Sequence, residues 1–249
     1  MKNLYIAYYI DPKNPMHQSE RCEPKIFIKE LESLSTNFNH QYHLKQISTF
    51  NDLKDFVSTI DSNNYGTFIF YFNGVAHHEK EERKGQNLNK IEQQKKENEE
   101  ENENEEENED LFLRNLIRAE SFVFRNMEIG IETVKNSKIL NLVNNEKFNK
   151  ITFNFILDSC NMGQFIKAAK KAKMKVPLFV LTATDENGET NSSFLTHFLR
   201  IIFIGISKRF LNLEKFEILF KAWFDKPGKK SKPNFYYNHK LSPKSILFN

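Results

Sequence analysis

The sequence is short of cysteine, of long apolar runs and of glycine-rich loops, and each shortage closes off a class of protein. Two cysteines, Cys22 and Cys160, in 249 residues are too few for a disulfide framework, so a reducing cytosolic or nuclear environment is expected, with the cytoplasm as the assigned location. The first apolar run, residues 4–10, is interrupted by Asp11 and Pro12 and is too short for the core of a secretory signal. The longest apolar stretch, residues 194–206, carries His197 and Arg200 and falls short of the roughly 20 residues a spanning helix needs. No membrane partner is expected. Glycine patterns of the Walker or dinucleotide type do not occur, so nucleotide chemistry has no support. No internal repeat is visible.

What is present is enough for one folded domain spanning 1–249. Apolar residues make up 39% of the chain, with 24 phenylalanines. The low mean hydropathy of -0.62 has a local origin, because residues 79–110 hold hardly an apolar side chain. That tract carries 14 acidic and 6 basic residues, a charge of -8, which leaves +11 on the rest of a chain whose net charge is +3. It cannot bury enough apolar surface to offset the entropy of ordering, so it reads as a disordered, low-complexity acidic insertion in a surface loop. The basic clusters at 167–175 and 226–232 read as a helix surface and a Pro/Gly/Lys loop. Neither carries a nucleic-acid-binding motif, so no nucleic-acid partner is expected.

Along the chain, strands and helices alternate. Residues 4–10, 42–47 and 67–72 read as strands; the last is the continuous apolar run Thr67-Phe68-Ile69-Phe70-Tyr71-Phe72, which suits a central parallel strand covered on both faces. Between them, Pro24 opens one helical pattern and Thr49 or Asn51 caps a second. After the insertion, 111–117 suggests a short helix, 122–134 a hairpin or irregular strand pair, and 139–143 a short helix. Further strands are expected at 151–157 and 177–183, helices at 165–175, 194–210 and 213–224, and a short terminal strand around 246–248. The β-α-β-α-β order predicts an α/β protein with a mostly parallel sheet.

Functional groups in such a sheet gather beyond the carboxyl ends of the strands. Two polar turns fall there: Asn73-Gly74-Val75-Ala76-His77-His78 and Asp158-Ser159-Cys160-Asn161-Met162-Gly163. A thiol on one turn and an imidazole on the other is what a cysteine nucleophile needs, since histidine draws the thiol toward thiolate and can protonate the leaving amine. The competing reading is structural: Cys160 as a small buried hydrophobe and the two histidines as solvated side chains.

The segment Phe155-Ile156-Leu157-Asp158-Ser159-Cys160-Asn161-Met162-Gly163 resembles the strand of the caspase and metacaspase family of cysteine peptidases that ends in Asp-Ser-Cys-His-Ser-Gly. Phe70-Tyr71-Phe72-Asn73-Gly74 is similar to the family's strand leading into Ser-Gly-His-Gly. Leu181-Thr182-Ala183-Thr184-Asp185 and Phe194-Leu195-Thr196 resemble its later strand and helix start. The resemblance implies a caspase-like three-layer αβα sandwich and an endopeptidase in which Cys160 attacks a peptide or protein substrate. It implies oxyanion donation by the Cys160 amide and by an amide of the histidine turn, Gly74 or Ala76. It assigns Asp158, with Asn73, to binding a Lys or Arg side chain before the cut. No cofactor is expected; calcium dependence is a property of many metacaspases, but no carboxylate cluster identifies a calcium site, and no metal ligand is assigned. Oligomeric state is left open. The sequence departs from the pattern at one place. Val75 stands where the family has its catalytic histidine, and His77 lies two residues on, about 6.6 Å further along an extended chain. Either the turn buckles so that His77 serves, or the chain is an inactive relative that acts by binding.

Overall fold

The computed structural model describes residues 2–38, 41–80, 123–185, 188, 193–205, 211–224, 232–245 and 247, without the side chains of 34–38, 77–80, 123–125 and 204–205. Six strands form the main sheet: β1 (Asn3–Ile10), β2 (Gln41–Gln46), β3 (Gly66–Asn73), β7 (Ile151–Leu157), β8 (Leu178–Thr182) and β9 (Asn234–Tyr237), in the order β2-β1-β3-β7-β8-β9. Every neighbouring pair is parallel except the last, β8 with β9. A second sheet holds β4 (Ala76–Lys80), β5 (Val123–Ile129) and β6 (Glu132–Val134), with β5 and β6 joined antiparallel around Gly130 at φ +67.

Strand period separates two cores. On β3, Phe68, Phe70 and Phe72 enter one core with Tyr5, Phe153 and Phe155, while Ile69 and Tyr71 enter the other with Leu4, Ile6 and Ile156. The first core is covered by α2 (Phe50–Ser58), α3 (Asn136–Val143) and α4 (Gly163–Lys171); the second by α1 (Glu23–Phe38), α5 (Phe194–Gly205) and α6 (Leu213–Phe224). This is a three-layer αβα sandwich. It explains why β1 and β3 read as unbroken apolar runs: both of their faces are covered. Thr49 caps α2 through a capping box with Asp52, in which each side chain accepts from the other residue's backbone N–H.

One expectation needs correction. The sequence places 73–78 in a polar turn and begins the insertion at 79, but β4 starts at Ala76 and takes in Glu79 and Lys80. Among the described residues the last strand is Asn234–Tyr237; of the strand expected around 246–248, only Leu247 lies within them. Leu247 lies in a bend, where its amide bonds the Leu211 carbonyl at 3.0 Å and its side chain fills the second core. The helix expected at 111–117 and the bulk of the insertion, 81–110, lie outside the described residues. Met1–His77 with Arg125–Asn249 form one compact unit; the rest, His78–Phe124, lies almost wholly outside the described residues.

The connections from β1 to β2 and from β3 to β7 run to opposite sides of the sheet. The carboxyl ends of β1 and β3 therefore flank a topological switch point, where open α/β sheets form their crevices.

Candidate functional site

At the carboxyl edge of the sheet the register sets the site. Phe72 lies opposite Leu157, and the Asp158 amide continues the ladder to the Phe72 carbonyl at 2.8 Å. One residue on, Ser159 Oγ donates to the Gly74 carbonyl at 2.6 Å. The two turns marked by the sequence are thus tied side by side; beyond Gly74 the Val75 carbonyl accepts from the Glu128 amide at 3.0 Å.

The Cys160 turn is held by backbone. Asn161 sits at φ 60, a left-handed conformation that asparagine tolerates better than most residues. Its amide bonds the Gly188 carbonyl at 3.0 Å, and the Gly163 amide bonds the Asp185 carbonyl at 3.3 Å. Cys160 itself is half-buried and in no disulfide. It precedes α4, whose first-turn amides favour negative charge nearby.

Gly74 is where β3 ends and the chain bends away toward β4. A Cβ there would lie 2.8 Å from Tyr9 Cε1 and 2.9 Å from Phe72 Cζ. Those rings are stacked at 5.4 Å, and Tyr9 Oη accepts from the Gly130 amide at 3.2 Å, so neither retreats freely. Gly74→Ala is expected to lower stability by about 1–3 kcal/mol through overpacking, read as a lowered denaturant midpoint.

Asp158 has work other than substrate binding. It is 3% exposed. Its carboxylate accepts from the Leu195 amide at 3.3 Å, the Thr196 amide at 2.9 Å and Thr196 Oγ1. These are first-turn donors of α5, so Asp158 caps that helix from 37 residues away. With the Thr196 proton given to the carboxylate, Tyr71 Oη donates to Thr196 Oγ1 at 2.6 Å. Burial, only partly opposed by these hydrogen bonds, pushes the Asp158 carboxyl up to about 6. A substrate cation would have to displace donors already in place, in a spot closed to solvent. Asp158 thus has structural partners besides the Lys or Arg side chain that the resemblance gives it. Asn73, 3% exposed, belongs to the same interior network: its Nδ2 reaches Ser193 Oγ at 3.5 Å and its carbonyl accepts from the Asp11 amide at 2.8 Å.

The structure therefore brings together Cys160, Gly74, Asn73 and Asp158, with Ala76 half-buried at the start of β4. Val75 is 49% exposed. His77 lies in β4, and its side chain is outside the described residues. Thr196, Tyr71 and Ser159 are part of the site's framework that sequence reading missed. The one available signal was Thr196, which stands in the Phe-Leu-Thr helix start.

No protein-family model matches the chain, and no curated protein matches it. Among solved structures, the chain is similar to the crystal structure of protein GSU0716 from Geobacter sulfurreducens. That likeness has a TM-score of 0.57 and 12% identity over 99% of this chain and 98% of the other. At that identity the likeness concerns the fold.

Proposed function

We propose that this chain is a cysteine peptidase of caspase-like type, with Cys160 as nucleophile and His77 as its acid–base partner. The observation that carries the reading is the Cys160 turn. A half-buried thiol sits beyond the carboxyl end of a central strand, pinned by the Ser159–Gly74 hydrogen bond against the turn that leads to His77. In the proposed reaction His77 takes the Cys160 proton as sulfur bonds to the peptide carbonyl carbon. The tetrahedral oxyanion faces the Cys160 amide and an amide of the Gly74–Ala76 turn. Collapse breaks the C–N bond, with His77 protonating the amine. Water, deprotonated by His77, then hydrolyses the thioester.

The substrate is a peptide or protein. A basic residue before the cut is no part of the proposal, because the Asp158 carboxylate is engaged by α5. Two reduced cysteines suit a reducing compartment, and we place the activity in the cytoplasm; among the described residues no helix is long and apolar enough to cross a membrane. Hydrolysis of a diverse fluorogenic peptide library, with reductant and with or without calcium, tests the reading. Thiol-dependent turnover is the expected result, and none by correctly folded protein in either condition overturns it.

One observation favours a second reading, a caspase-like pseudo-peptidase that acts by binding. The turn after β3 carries Val75, 49% exposed, where the resemblance expects the imidazole, and valine cannot move a proton. Val75→His separates the two readings. If the native chain is inactive for want of an imidazole, the substitution raises hydrolysis from background. If His77 already serves, it brings no gain.

A further inference from the structure

We propose that the opposite end of the sheet carries a binding site for a small phosphate monoester, independent of the Cys160 site. A cavity of about 260 Å³ opens at the amino ends of the parallel strands, and Lys2, Lys150 and Lys240 line it. β7 begins beside it at Ile151 and ends at Leu157, before Cys160. Seven residues of strand therefore separate the two sites by about 20 Å.

Three features define the ligand. Among the described residues no aspartate or glutamate lines the cavity, and none of the described ion pairs involves its three lysines. Asp61, an acid near Lys150, lies outside the lining and accepts from the Asn63 amide at 2.9 Å and Asn64 Nδ2 at 2.7 Å. An anion is the charge such a rim accepts, and a doubly charged one gains most. Lys150 is already oriented: its Nζ donates to the Asn63 carbonyl at 2.8 Å and lies 5.8 Å from the Tyr65 ring centre. The same residue's carbonyl accepts from the Gly66 amide at 3.2 Å. Holding the ammonium before a ligand arrives reduces the ordering entropy of binding.

The remaining lining is mixed. Thr67 and Thr152 bring hydroxyls, which suit phosphate oxygens, while Leu241 and Pro177 bring apolar surface. Bare phosphate would leave that surface uncovered; a phosphate carried on a short carbon body covers it. The volume lies just below the usual range for ligand pockets, which favours a small body over a nucleotide-sized one.

The test is calorimetric titration of the full chain with inorganic phosphate and with glycerol 3-phosphate, at ionic strength fixed with potassium chloride. One saturable site per chain is expected, tighter for glycerol 3-phosphate. Lys150→Met and Lys240→Met are each expected to weaken it by roughly tenfold, the scale of one charge-assisted contact. Lys170→Met, the same charge change on α4, leaves it unaltered. No saturable binding, equal binding in both lining variants, or an equal loss in Lys170→Met overturns the proposal. Vesicles containing phosphatidic acid separate the sources of the group. Binding to vesicles without binding of glycerol 3-phosphate contradicts a soluble ligand. Binding of glycerol 3-phosphate that depends on Lys150 supports it, whatever the vesicles do.

Discussion

Cys160→Ala is expected to abolish peptide hydrolysis, a fall on the order of 10⁴-fold or more, with the fold intact. The size follows from losing covalent catalysis altogether, since alanine offers no nucleophile. His77→Ala is expected to produce a comparable fall. The double variant should be no slower than the worse single one, because a nucleophile and its base act as a unit and their losses do not add. Cys22→Ala is the control: Cys22 sits before α1, with its thiol 3.8 Å from the His17 carbonyl, and its loss leaves turnover unchanged. Initial rates on the best library peptide measure all four. If His77→Ala retains full activity, His77 is not the base.

Asp158→Ala is the second large effect, and it falls on stability. Removing the carboxylate strips acceptors from the Leu195 and Thr196 amides and from Thr196 Oγ1, all in the interior. Buried donors left without partners cost about 1–3 kcal/mol each, and not additively, so a loss of about 3–5 kcal/mol is expected. That is a large share of the roughly 5–15 kcal/mol that holds a domain folded. Because Thr196 in turn holds Tyr71, at the end of β3, the loss should reach the Cys160 turn and lower activity as well.

The same carboxylate sets a pH dependence. Its folded pKa, about 6, is above the ordinary value near 3.9 for an unfolded chain, so the folded state holds the proton more tightly. The stability this contributes is fully present below about pH 4 and is lost as pH rises through 6, a change of about 3 kcal/mol. Asp158→Asn cannot titrate and lacks this slope. Urea unfolding of both proteins from pH 4 to 7 should show the wild type losing stability relative to the variant over that window. Parallel curves would mean that Asp158 titrates as an ordinary carboxyl.

How far the sequence could be read depended on whether the signal was local. β1 and β3 were legible because a strand covered on both faces must be apolar throughout. Thr49 was legible because its capping partner, Asp52, is three residues away. The Cys160 turn was legible because a polar segment breaks an apolar run. β9 was not, since four residues after a Lys/Pro loop give too short a period to detect, and its pairing with β8 is decided by tertiary structure. Nor was the role of Asp158. Its partners, Leu195 and Thr196, are 37 and 38 residues away, and the resemblance pointed the carboxylate toward substrate. Ser159 looked like a spacer within a motif, yet its hydroxyl ties the two turns together. β4 hid in the turn 73–78 because Gly74 redirects the chain into another sheet, and no local pattern marks a change of sheet.

The central claim is that Cys160 is a nucleophile that works with His77. Trapping with a peptidyl acyloxymethyl ketone, followed by mass spectrometry of the digested protein, tests it most directly. One thioether adduct is expected, on Cys160 and not on Cys22, and it is lost in His77→Ala. Equal labelling of both cysteines, or Cys160 labelling that is indifferent to His77, would contradict it.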